Sequence, residues 1–101
     1  RELEDDDKQL ELLVGIGLNY RKLEQWEKAI ECLEQALAIA KYIEHRKEEI
    51  QIRVDLAEIF FKIEKRDLAI SQIEEAEIDL KNIKAAWSTS LMRRIESLRN
   101  F

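Results

Sequence analysis

The chain has 101 residues, of which 39% are charged and 46% hydrophobic, with no proline, two glycines and a net charge of −5. That length supports one modest core and excludes a multidomain enzyme. The shortage of turn-forming residues excludes a fold of tight strand-to-strand turns, and the apolar share is too high for disorder, so a single all-α domain is expected over 1–101.

The N-terminal stretch RELEDDDKQL has neither a basic leader nor a hydrophobic segment, and nowhere is there a run of about 18 apolar residues. A cytoplasmic protein with no membrane contact is therefore expected. Because it opens on Arg1 rather than Met, the chain reads as an excised or processed segment.

Apolar spacing predicts helices at about 6–23, 26–44, 47–64, 67–82 and 84–99. Asp5, Asp6 and Asp7 stand where a helix N-terminus favours negative charge. The first helix then carries Leu12, Leu13, Ile16, Tyr20 and Leu23 on one side. Gly17 lies inside it, where glycine costs about 1 kcal/mol against alanine, so a close approach by another helix is expected there. Gly15 has no such rationale.

The second helix carries Ile30, Leu33 and Leu37, with Ala29 and Ala36 at positions suited to close packing. Cys32 is the only cysteine and reads as a small apolar helix residue; with His45 alone it cannot build a zinc site. His45 stands in the charged run Glu44–Glu48 and reads as a solvated helix-end residue.

From the third helix onward the pattern repeats. Residues 10–43 align without a gap to 50–83, an offset of forty, with nine of 34 positions identical, among them Val14/Val54, Lys22/Lys62, Ala29/Ala69 and Ala36/Ala76. Large-for-large exchanges such as Ile16/Leu56, Tyr20/Phe60 and Leu33/Ile73 fill many of the rest. Each copy is a helical hairpin, the first at about 6–45 and the second at about 46–83.

The last helix carries Ile83, Trp87, Leu91, Ile95 and Leu98 near one stripe. It reads either as a cap over the end of the array or as the start of a third repeat. Residues 1–50 hold 13 acids and 8 bases, whereas from Lys81 onward five bases face Glu96 alone. With a pI near 5.0 this short basic patch is no nucleic-acid interface.

In the first copy, Ile16, Gly17, Tyr20, Ala29, Leu33 and Ala36 give the series large apolar, small, aromatic, Ala, large apolar, Ala; Leu56, Ala57, Phe60, Ala69, Ile73 and Ala76 give it again. This resembles the tetratricopeptide repeat family over about two thirds of the chain. The chain departs from the pattern in lacking a Trp at Leu13 and Arg53, a turn Gly at Glu24 and Glu64, and a Pro at Lys41 and Lys81. Its period of forty exceeds the usual length of about 34, adding roughly 9 Å of helix. Longer repeats of this kind look like those of bacterial peptide-sensing regulators and of some scaffold proteins.

The resemblance implies a right-handed α-solenoid of about five helices, acting as a non-catalytic module that binds a protein or peptide in a concave groove. The groove positions it implies are Glu11, Val14, Leu18, Arg21 and Lys22 in the first copy, and Gln51, Val54, Asp55, Glu58, Phe61 and Lys62 in the second. With Val14 and Leu18 where carboxylate-clamping repeats place Lys and Asn, capture of a chain terminus is disfavoured, and an amphipathic segment of mixed charge suits the set better. The alternative for Val14 and Leu18 is packing on a neighbouring helix.

No histidine beside a nucleophile, no glycine-rich phosphate loop and no metal motif occurs in the sequence, so neither catalysis nor a cofactor is expected. Two other functions are open. The chain is either the sensory repeat region of a peptide-responsive regulator, or a self-assembly module whose acidic front meets the basic end of another copy.

Overall fold

A computed structural model describes residues 3–83 and 85–100. It contains five helices: α1 (Leu3–Lys22), α2 (Trp26–Tyr42), α3 (Arg46–Lys62), α4 (Arg66–Leu80) and α5 (Ala86–Arg99). The number and order match the sequence reading, and the described residues are otherwise turns and connections. The start of the fifth helix expected at 84 lies outside the described residues; α5 begins at Ala86, after an extended Ala85.

Helices α1 to α3 end one or two residues sooner than apolar spacing suggests, for one shared reason. Glu24, Glu44 and Glu64 adopt left-handed backbone, with φ of 58°, 58° and 63°. In each turn the following N–H reaches back over the helix end: Gln25 to the Tyr20 carbonyl at 2.9 Å, His45 to Ala40 at 2.9 Å, Lys65 to Phe60 at 2.8 Å. The glutamate N–H closes the inner bond, to Arg21, Lys41 and Phe61 respectively. This paired closure satisfies carbonyls that a helix C-terminus otherwise leaves without partners, and glycine is its usual left-handed residue. The structural unit is therefore a helix plus turn of twenty residues, and the forty-residue repeat contains two of them.

The chain divides into two compact units, the first ending at Ile52 and the second beginning at Arg53, so the division falls inside α3. In the first unit α1 and α2 form an antiparallel hairpin. Lys28 lies 5.6 Å from the centre of the Tyr20 ring, and the two residues stand equally far from the turn at Glu24. Deeper in, a Cβ on Gly17 would lie 3.0 Å from Leu33 Cγ and 3.3 Å from the Cys32 Cβ. The glycine lets the two backbones approach, while Ala29, Leu33, Ala36 and Ala40 are wholly buried.

In the second unit Val54, Leu56, Ala57 and Ile59 of α3 and Ala69 and Ala76 of α4 are fully buried. Arg53 Nη1 donates to Gln72 Oε1 at 3.0 Å, which ties α3 to α4 well back from their turn. Helix α5 joins this unit through Leu91, Ile95 and Leu98, all buried. Trp87 is half-buried, and its neighbour Ser88 is buried and donates its hydroxyl to the Ala85 carbonyl at 2.6 Å. That bond ties down the first turn of α5.

Candidate protein-binding faces

The positions that the repeat register assigns to a groove differ in fate. In the first unit Glu11 and Lys22 are exposed, and Val14, Leu18 and Arg21 are half-buried on α1; Gln51 is half-buried on α3. Glu11 and Val14 open on a depression of about 410 Å³ whose other walls are Asp7, Leu10, His45 and Glu48. Leu10 is buried and gives it an apolar floor. Three carboxylates surround it. His45 crosses the mouth, with Nε2 3.2 Å from Asp7 Oδ1 and Nδ1 3.8 Å from Glu48 Oε2. It stands in the turn before α3 with 42% of its side-chain surface exposed, a helix-end residue that also meets Asp7 of α1.

In the second unit Val54 is 0% exposed and belongs to the core, so no partner reaches it there. Phe61 is half-buried with the guanidinium of Arg66 5.9 Å from its ring centre, and Lys62 is exposed. Asp55 and Glu58 are engaged from α5: Arg94 Nη2 donates to Asp55 Oδ1 at 2.9 Å and to Glu58 Oε1 at 2.6 Å. Burial disfavours the charge on Arg94, but the hydrogen bond to Asp55 and the charges of both carboxylates outweigh it and raise the guanidinium above its ordinary value.

Sequence reasoning misses this ion triad, because Arg94 falls on the register of Val14 and Val54, whose apolar side chains give no hint of a charged partner. A second arginine of the basic patch, Arg99, is also engaged, donating to both oxygens of Glu77 on α4, and the hydrogen bond raises its proton affinity further. Two of the five C-terminal bases are thus paired inside the second unit.

Among the described residues no group of His, Cys, Asp or Glu is placed to hold a metal ion, and no helix is long and apolar enough to cross a membrane. A family model described as tetratricopeptide repeat matches residues 8–77. No curated protein and no solved structure matches the chain.

Proposed function

Because the chain belongs to the tetratricopeptide repeat family, whose members are typically non-catalytic modules that bind other proteins, we propose that it binds a basic, amphipathic peptide segment on the α1 side of its first unit. The observation that carries this reading is the depression at Glu11 and Val14. Its walls carry the carboxylates of Asp7, Glu11 and Glu48, and its floor is Leu10. Such a site suits a long cationic side chain, whose methylenes lie on the floor while its head meets the carboxylates. The second unit offers an internal parallel, since its own carboxylates on the equivalent helix hold Arg94.

The reading is tested by selecting peptides from a random library against the wild-type chain and measuring their affinities by fluorescence anisotropy. Enrichment of Arg or Lys among apolar residues is expected, with roughly tenfold or greater weakening for Glu11→Lys and for Val14→Glu, the cost of reversing one close charge or burying another. Selected peptides that bind these variants as well as wild type would place the site elsewhere.

A further inference from the structure

The depression on the first unit already holds a group of its own that can carry positive charge. His45 is the one histidine of the chain, and both of its ring nitrogens face carboxylates, Nε2 at 3.2 Å from Asp7 Oδ1 and Nδ1 at 3.8 Å from Glu48 Oε2. A neutral imidazole has one N–H and one lone pair, so it favours one of these carboxylates and turns its lone pair on the other. Only the protonated ring presents an N–H to both. Histidine is also the side chain whose charge ordinarily changes between about pH 5 and 8.

Other charged groups approach the ring from three elements. Helix α1 adds Glu11 to the same depression, while its Lys8 lines a neighbouring one with Leu12 and Gly15. Helix α2 ends with Lys41, exposed, whose carbonyl takes the Glu44 N–H. Glu44, Arg46 and Lys47 flank His45 in the chain and are exposed, and Glu49 of α3 donates its backbone N–H to the His45 carbonyl at 2.9 Å. The lining itself holds three carboxylates and the imidazole. The repeat does not call for this set: forty residues after Asp7, Glu11, His45 and Glu48 stand Lys47, Gln51, Ala85 and Ser88. Packing of the repeat therefore does not explain it.

We infer that protonated His45 is an internal competitor for the cation of the bound peptide, which makes binding at this depression responsive to pH. The inference rests on the reading of the depression as a site for a basic peptide. In acid the imidazolium lies across the mouth and occupies Asp7 and Glu48, and an arriving guanidinium or ammonium meets a like charge. Above neutrality the ring is uncharged, and all three carboxylates are left to the incoming cation. Affinity therefore rises with pH across the histidine range. Because coupling between two ligands is reciprocal, the bound cation also expels the imidazolium proton to the buffer.

The probe is the tightest peptide from the library selection that contains no His, Asp, Glu or Cys, blocked at both ends so that its charge is constant over the range used. Its affinity is measured by isothermal titration calorimetry for wild type, His45→Gln and His45→Lys, with helicity checked by circular dichroism. Wild type is expected to bind about threefold to fivefold more tightly near pH 8 than near pH 5.5, the scale of a partly exposed charge pair. Near the middle of that range it is expected to release a proton on binding, read from the dependence of the heat on the buffer. His45→Gln is expected to bind equally at both pH values without proton release, and His45→Lys to bind weakly at both. A wild-type affinity that is constant or falls as pH rises, or the same pH response in His45→Gln, would overturn the inference while leaving the peptide site intact. A selection that yields no such peptide, or a peptide that binds Glu11→Lys as tightly as wild type, would overturn the peptide site and the inference with it.

Discussion

Arg94 on the last helix reaches back thirty-nine residues to Asp55, with Nη2 2.9 Å from Oδ1, and the same nitrogen meets Glu58 at 2.6 Å. Sequence reasoning assigns both carboxylates to a partner; here the chain's own C-terminal helix uses them. Asp55 and Glu58 keep only 13% and 23% of their side-chain surface exposed, and Arg94 keeps 38%. Removal of the arginine therefore leaves two shielded like charges one helical turn apart.

Arg94→Ala is expected to lower stability by roughly 1–2 kcal/mol, the value of charge-assisted hydrogen bonds reduced for partial exposure. Arg99→Ala is expected to cost less than about 0.5 kcal/mol, because Arg99 and Glu77 keep 45% and 41% of their side chains exposed. Urea unfolding followed by circular dichroism measures both. The proton affinity of Arg94 is raised in the folded chain, so its contribution is complete below the ordinary arginine range and disappears only as pH rises past the folded value. Comparable losses for the two variants would mean that α5 is not anchored through Arg94.

The two glycines are expected to respond in opposite ways to alanine. Around Gly15 an added Cβ meets nothing within 4 Å, whereas at Gly17 it meets Leu33 at 3.0 Å and 3.2 Å. Gly15→Ala should stabilise the chain by about 1 kcal/mol, the difference in helix propensity. Gly17→Ala should gain nothing, since crowding in a packed core costs roughly 1–3 kcal/mol against the same propensity gain. Thermal unfolding of the two variants side by side decides, and an equal gain at both would deny the close approach of α1 and α2.

Each left-handed glutamate strains its turn. Replacing Glu24, Glu44 or Glu64 by Gly removes a Cβ from a conformation that costs L-residues about 1–2 kcal/mol, and adds back some unfolded-chain entropy. A net gain of about 0.5–1 kcal/mol per site is expected. The free energy of unfolding of the single and triple variants measures it, and a loss at any site would show that the glutamate side chain contributes something the turn geometry does not require.

The helices are legible in the sequence because apolar spacing fixes which face each one buries, and the forty-residue offset doubles the signal: Ala29 and Ala69, Leu33 and Ile73 fall on equivalent buried positions. The helix ends are less legible, because their left-handed residues are glutamates and a reader looks for glycine. Glu24, Glu44 and Glu64 nevertheless stand twenty residues apart, each after a large apolar residue. For the candidate site, the register points to Glu11 and Val14 but not to His45 and Glu48, which come from the turn after α2 and the start of α3. Val54 copies Val14 in sequence but not in burial. Arg94 has no counterpart charge in either earlier copy, so no repeat comparison reveals its partners.

On the proposed function, the α1 side of the first unit takes a basic peptide. Amide chemical shifts followed while a selected peptide is titrated into the labelled chain test it most directly. The largest changes are expected at Asp7, Glu11, Val14, His45 and Glu48, with the helical framework preserved. Changes concentrated instead on α4 and α5, or no saturable change at any residue, would contradict the claim.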